Sequence, residues 1–575
     1  MKISKILPIL ILAVLFAGCI GSQPVPTPQA PNPTLVTAAA PAPTHALPTP
    51  TQGPAAAVPV GAVTGMPQGS GGSSWWNDTV FYEIFVRSFY DSNGDGKGDF
   101  NGIVQKLDYL KDLGVTGLWL MPIFPTTTYH GYDVVDYLTT NPDYGTLDDF
   151  KRLLAEAQKR DIRVIIDMVF NHTSDQNPWF QASQDPKSPY RNWYVWSKTD
   201  PGFVGPFNEK VWYKAGTGDY YYAVFDQIMP DLNYNEPAVT AKMDEVTRFW
   251  LQDVKVDGFR LDAVRYLVEQ GKQLADSSAN HQWFKQFRTF YKSIAPQAVT
   301  IGEVRTTNYA VAGYLKGDEL DMAFNFDLAG AFIKSANSGA ARNAIGQLKL
   351  DQPVMPSERT APLLTNHDDA RVMSQLGNDD EKAKNAATML LTAAGSPFIY
   401  YGEEIGMFGG KPDPQIRTPM QWSAEPNAGF TTGTPWEAVY PFYEQANVAA
   451  ENGKPDSLLS YYRTLIHLRS QHIGLRLGET DVVDSGDAGS VYAVLRAAKD
   501  EALLVVINLS PDTVQGLKLS LSAGPLAGTY RVAPVLGSGP FPDLAANVQG
   551  GFDGYAPLPD LPGNSRLILQ LQPQK

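Results

Sequence analysis

The chain has 575 residues, 43% hydrophobic and 11% aromatic, with 50 glycines, 44 prolines and one cysteine. That apolar content excludes a wholly disordered chain, and the length excludes a single small module. A formal charge of −14 excludes a general nucleic-acid binder, which needs a basic footprint, and a lone cysteine excludes an internal disulfide or a cysteine-based zinc cluster.

At the N-terminus Lys2 and Lys5 form a charged region, residues 6–16 an apolar run, and Ala17-Gly18 a small-residue site directly before Cys19. This predicts an export signal over residues 1–18, too short to span a bilayer. The run Leu15-Phe16-Ala17-Gly18-Cys19 resembles a bacterial lipobox, which implies lipidation of Cys19 and a cell-surface protein anchored to the membrane by that lipid alone. Phe16 stands where an aliphatic residue is usual, so cleavage by ordinary signal peptidase and secretion is the alternative. From Gly21 to Ser74 there is no Asp, Glu, Lys, Arg or aromatic residue and proline recurs throughout. Such a segment cannot bury enough surface to offset its chain entropy. Residues 19–74 therefore read as a lipidated cysteine and a disordered Pro/Thr/Ala linker, reaching on the order of 150 Å when extended as polyproline II. The folded body is expected from near Trp75.

After Trp75 short apolar runs alternate with helical patterns. Strands are predicted over residues 80–86, 117–121, 164–170, 258–261, 299–302, 322–326, 361–364 and 398–400, with helices over 103–113, 147–159, 239–254, 282–294 and 381–393. Eight such units predict an α/β fold, a (β/α)8 barrel over residues 75–172 and 235–474, rather than a doubly wound sheet. Residues 173–234, rich in aromatics, read as an inserted subdomain after the third strand. A helix over 457–469 precedes pure strand patterns, which predict a C-terminal antiparallel β-sandwich over 475–575.

Barrel chemistry sits at the C-terminal strand ends. Asp262 ends the fourth strand, Glu303 the fifth, and Asp368 follows the seventh, with Arg260, His172 and His367 nearby. Retaining cleavage of a glycosidic bond needs a carboxylate nucleophile and a carboxylic acid that protonates the leaving oxygen. An arginine beside the nucleophile is expected to keep it ionised. The sequence here resembles the α-amylase superfamily of glycoside hydrolases (family 13), in a group intermediate between oligo-1,6-glucosidases and neopullulanases. Its hallmark stretches stand in order: Asp167-Met-Val-Phe-Asn171-His172, Gly258-Phe-Arg260-Leu-Asp262-Ala263-Val, Ile301-Gly-Glu303-Val and Thr365-Asn-His367-Asp368. The resemblance implies Asp262 as nucleophile, Glu303 as acid/base and Asp368 as transition-state stabiliser. It implies substrate contacts at Tyr132, Asp133, His172, Arg260, His367 and Arg371, with Tyr132 stacking under the sugar at the cleavage point.

Asp91-Ser-Asn93-Gly-Asp95-Gly-Lys97-Gly-Asp99 places oxygen-bearing side chains at alternate positions, as Ca²⁺ requires. Position 12 of an EF-hand would be Gly102 rather than glutamate. The loop resembles instead the calcium loop after the first barrel strand of oligo-1,6-glucosidase-like enzymes. That implies a structural Ca²⁺ held by Asp91, Asn93, Asp95, the Lys97 carbonyl and Asp99.

The stretch Gln227-Ile-Met229-Pro230-Asp231-Leu232-Asn233 looks like a blend found in an intermediate group of α-amylases, and Ala263 resembles α-1,4-acting members. Arg417-Thr-Pro-Met-Gln421-Trp422 resembles oligo-1,6-glucosidases and trehalose synthases, and Asp133 resembles a residue that contacts the non-reducing end in exo-acting relatives. The expectation is a retaining, endo-acting α-1,4-glucan hydrolase on starch, glycogen or maltodextrins. An exo-acting α-glucosidase or oligo-1,6-glucosidase, or a transglycosylase, is the nearest alternative. The sugar-binding lipoprotein of an importer is the alternative from another class.

Overall fold

The structure is a computed structural model that describes residues 62–574. The predicted export signal, Cys19 and most of the linker lie outside the described residues. Among the described residues no helix is long and apolar enough to cross a membrane.

Eight parallel strands form the central sheet: β1 (Phe81–Ile84), β2 (Gly117–Leu120), β3 (Arg163–Met168), β4 (Gly258–Leu261), β5 (Val299–Gly302), β6 (Met322–Phe324), β7 (Thr360–Ala361) and β8 (Phe398–Tyr400). Their order is β7-β6-β5-β4-β3-β2-β1-β8, all parallel. The seam between β7 and β8 is closed by backbone bonds from Ser396 N–H to the Thr360 carbonyl, 3.0 Å, and from Phe398 N–H to the Pro362 carbonyl, 2.8 Å. The predicted (β/α)8 barrel is therefore present. Each predicted strand is found; β4, β5 and β8 match their predicted bounds, and the other five end one to three residues early, because hydrophobic runs continue into the buried loops beyond the ladder.

Strand side chains alternate between two faces. Phe81, Trp119, Ile165, Ile301, Phe324 and Phe398 fill the barrel interior over a plug of Trp75 and Trp76. Tyr82, Leu118, Leu120, Val164 and Ile166 face the helix layer. Two residues beyond these inward apolar positions, the same period turns Glu83 and Asp167 inward toward the mouth. Arg260 pairs in register with Asp167 on β3. At the start of β4, Gly258 has φ 155°, and a Cβ there would stand 2.1 Å from the Val299 carbonyl oxygen. Only glycine lets β4 and β5 approach so closely at that point.

Between β3 and β4 the predicted insertion folds as a short helix, Pro178–Ser183, and a three-stranded sheet of Trp196–Ser197, Tyr220–Tyr222 and Trp212–Lys214. Its aromatics build that subdomain's own packing, as with Phe180 on Trp196 at 5.7 Å and Trp212 on Tyr222 at 5.4 Å. At the C-terminus a six-stranded antiparallel sheet begins at Glu479 and packs with two short strand pairs around their own apolar core.

The uncharged segment expected to run free to Ser74 joins the body earlier. Val63 N–H donates to the Ser470 carbonyl at 2.9 Å, Arg163 to the Pro67 carbonyl at 3.0 Å, and Ser70 N–H to Asp78 at 2.7 Å. Polar backbone contacts, which apolar patterning does not report, hold these residues on the barrel.

Candidate active site

The C-terminal strand ends converge on one cleft of about 310 Å³, lined by Tyr132, His172, Asp262, Glu303, His367 and Asp368, with His130, Phe225, Met229, Asp413 and Arg417. At its base lies Arg260, fully buried. Its Nη1 is 2.8 Å from Asp167 and 2.6 Å from Asp262, and its Nη2 is 2.9 Å from Glu303. Asp167 is as buried as the arginine, whereas the Asp262, Glu303 and Asp368 side chains retain 12%, 17% and 35% exposure. Three carboxylates therefore face the cleft, and the fourth stays behind as a counter-charge.

Directly after Asp262, Ala263 adopts a left-handed conformation (φ 51°). Its N–H thereby donates to Glu303 Oε2 at 3.2 Å. Asp262 and Glu303 are thus fixed side by side by one guanidinium and one backbone turn. Asp368 accepts from Arg417 Nη2 at 3.0 Å and has His367 Nε2 at 3.4 Å. Arg417 also donates to the His367 carbonyl at 2.8 Å, so the loop after β8 holds the loop after β7 in place.

The electrostatics differ from the sequence-based expectation at one point. Burial pushes Asp262 well above the ordinary carboxylate range despite Arg260, with Glu303 and Asp167 adding to the rise. The arginine does not simply keep the nucleophile position ionised, because its one positive charge is shared among three carboxylates. Asp167 is itself pushed up to about 6, chiefly by burial. At Asp368 burial opposes ionisation, but His367, Arg417 and Arg260 hold the carboxyl down to about 2. Burial lowers His172 to about 4 and His367 well below its usual value, so both rings are neutral at pH 7.

Tyr132 forms part of the floor. Its ring stacks on His367 at 5.5 Å, and its hydroxyl lies 3.0 Å from Asp167 and 2.7 Å from His367 Nε2. His172 ends at the cleft with Nε2 buried and without a partner. It is held there by the blended stretch singled out in the sequence: Leu232 N–H donates to the Asn171 carbonyl at 2.9 Å, and Asn171 donates to Asp231 at 3.0 Å.

Over residues 83–478 the chain matches the family model described as the α-amylase catalytic domain. It belongs to the α-amylase family. It is a glycoside hydrolase of family 13, and its relatives carry several names. Alpha-amylase 3 of Dictyoglomus thermophilum is 40% identical over 445 residues, covering 76% of this chain and 85% of that protein. Oligo-1,6-glucosidase of Parageobacillus thermoglucosidasius is 34% identical, covering 76% and 91%. Among solved structures, the α-amylase of H. orenii superposes with a TM-score of 0.70 at 37% identity, covering 86% of this chain and 99% of that one.

Two residues expected in the family site lie outside the cleft. The Asp133 carboxylate is fully buried and accepts from the Thr126, Thr127 and Thr128 hydroxyls. Three consecutive threonines after β2 wrap it, so it cannot contact a chain end. Arg371 is buried behind the site, donating to the Tyr401 carbonyl at 2.6 Å with its guanidinium against the Tyr400 and Tyr401 rings. Conversely, sequence reasoning missed Glu83, whose Oε1 is 2.5 Å from His367 Nδ1, and Asp413, which lies 3.1 Å from Arg417. An acid in the middle of the apolar strand β1 is the signal that would have found Glu83.

The loop from Asp91 to Asp99 is built from Asx turns. Asp91 accepts from the N–H groups of Asn93, Gly94 and Gly96, and Asp99 from those of Ser92 and Gly102. Lys97 turns its ammonium away to Asp143 at 2.8 Å. All candidate donors in the loop are oxygens, which suits a hard cation. Among the described residues no three His, Cys, Asp or Glu side chains stand close enough together to hold a metal ion.

Proposed function

We propose that this protein is a retaining, endo-acting hydrolase of α-1,4-glucosidic bonds in starch, glycogen or maltodextrins. The observation that carries this reading is the pair Asp262 and Glu303 on one guanidinium, faced by an ionised Asp368. A retaining enzyme keeps its two carboxyl groups only about 5–5.5 Å apart. Glu303 gives its proton to the leaving glycosidic oxygen while an Asp262 oxygen bonds the anomeric carbon, and the bond between that carbon and the leaving oxygen breaks. Water then attacks the same carbon, Glu303 takes its proton, and the Asp262 ester bond breaks. Two inversions give net retention. A proton on Glu303 removes the charge that opposes ionisation of Asp262, so the acid and the nucleophile are set up together. Asp368 accepts hydrogen bonds from hydroxyls of the sugar carrying the developing positive charge. His172 donates from a neutral ring whose Nε2 has no protein partner, His367 holds Tyr132 in place, and Tyr132 supplies the stacking face.

The relative named α-amylase, at 40% identity, supports the α-1,4 endo reading. Burial of Asp133 in its threonine cradle removes the residue that favoured recognition of a chain end. The second reading, an exo-acting α-glucosidase or a transglycosylase working through the same intermediate, has support in relatives named oligo-1,6-glucosidase and trehalose synthase. Product profiles on starch, pullulan and maltotriose separate the two. Rapid loss of iodine staining with few reducing ends is expected, and glucose released first would sink the endo reading. Glu303→Gln should lower turnover by about 10²–10⁴-fold, and full activity in that variant would refute its role.

Calcium in the Asp91–Asp99 loop is part of the proposal and is structural, because the loop supplies none of the cleft residues. EDTA should lower Tm and Ca²⁺, but not Mg²⁺, restore it; an unchanged Tm would count against the ion. Anchoring outside the cytoplasm through lipidated Cys19 remains a proposal from the sequence, which mass spectrometry of the mature N-terminus tests.

A further inference from the structure

The loop after β8 walls two depressions. Asp413 and Arg417 line the catalytic cleft, while Ile405, Gly406, Phe408 and Gln421 line a second pocket of about 460 Å³. The other walls of that pocket come from Met373, Asn378 and Asp380 after β7 and from residues 440–458. Phe408 and Tyr440 stack at 5.4 Å with 9° between their planes, and Tyr440 leads to Phe442 at 5.9 Å. Phe442 is 57% exposed, so beyond its contact with Tyr440 most of its ring stays open to solvent. Gln421, only 1% exposed, donates through Nε2 to the Ala446 carbonyl and leaves Oε1 buried without a partner. An unpaired buried acceptor carries a desolvation cost that a ligand donor would remove.

We infer that this pocket is a second glucan-binding site, separate from the catalytic cleft, that takes a glucosyl unit of an α-glucan. The inference rests on the α-glucan reading of the cleft. A pyranose presents C–H groups on its faces and hydroxyls around its rim. Aromatic rings match the faces, and the Gln421 oxygen, Asn378, Asp380, Gln445 and Lys454 match the rim. Asp380 and Glu451 line the pocket together with Lys454, so both signs of charge meet there and no single-signed field selects an ion; a neutral polyhydroxylated ligand fits instead. A chain held there would keep polymeric substrate close to a cleft carried on the same loop, raising its effective concentration.

The test uses the Glu303→Gln protein, to suppress turnover, and compares its retention on insoluble starch with that of the same protein carrying Tyr440→Ala and Phe442→Ala. Retention should fall at least tenfold, and Phe442→Trp should preserve it. In the active background the double variant should hydrolyse maltotriose or maltotetraose at the parent's rate, which also reports correct folding, while degrading starch granules several-fold more slowly. Undiminished starch retention in the double variant, or no retention by the parent, would overturn the second site. Failure of the active parent to hydrolyse any α-glucan would instead overturn the reading of the cleft.

Discussion

Glu83 shows how one residue sets the state of another. His367 is the only ring of the cleft whose two nitrogens both have protein partners, Glu83 on Nδ1 and Tyr132 on Nε2. Burial drives Glu83 up and His367 down, so the pair is neutral and its single shared proton lies between two buried atoms. The other charges facing Glu83 are Arg260, Asp167 and Asp368. Glutamine can keep the hydrogen bond in either direction, and alanine cannot. Glu83→Gln should stay within about tenfold of the parent in kcat/KM, whereas Glu83→Ala should lose roughly 1–3 kcal/mol, about five- to 150-fold, by stranding Nδ1. A merely structural role would lower Tm in Glu83→Ala and leave its kcat/KM unchanged.

At the scale of elements, the turn after β8 carries two adjacent buried acids. Glu403 accepts from Tyr462 at 2.8 Å, and Glu404 from Tyr82 at 2.7 Å and Tyr109 at 2.5 Å. These tyrosines come from β1 and from helices Phe100–Leu113 and Leu458–Gln471, so the acids tie β8 to its neighbours. Burial pushes Glu403 from 4.5 up to about 8 and Glu404 in the same direction. A raised acid pKa in the folded state means that folding retains a proton the unfolded chain releases. Stability is then greatest below the unfolded pKa and declines as pH rises from about 5 to 8, by up to roughly 1.4 kcal/mol per pH unit per group. Glu403→Gln keeps the tyrosine bond without the ionisation. The variant should lose less Tm between pH 6 and pH 8 than the parent, and an unchanged slope would refute the assignment.

For the whole molecule, the barrel and the C-terminal sheet are one structural unit. Tyr492, Val494, Leu503, Val505, Ile507 and Ile568 of the sheet belong to the same apolar cluster as the barrel's outer layer. Arg496, fully buried, donates to the Thr392 carbonyl at 2.5 Å and the Gly478 carbonyl at 2.6 Å. Arg476 is 2.9 Å from Asp78 just before β1. Ending the chain after Gly478, where the family match stops, would expose that apolar face and remove Arg496. The truncated protein should be insoluble or melt well below the parent, and an equally stable, active truncation would show that the sheet is dispensable.

Much of this was legible in the chain itself. Periodicity of two and of 3.6, with charge at strand ends, determined eight βα units, the insertion and the terminal sheet, because strand and helix faces are set by local spacing. The stretches around Asp262, Glu303 and Asp368 pointed to one cleft because barrel strands all end at one rim. Only the tertiary structure decided which charges meet. It sends Asp133 into a threonine cradle and Arg371 behind the cleft, and it brings Glu83 onto His367 across 284 residues. It also buries Asp262 beside Glu303 and Asp167, which outweighs Arg260 and reverses the shift expected for Asp262. Burial and long-range pairing fix a side chain's partner and its protonation, and neither is a property of local sequence.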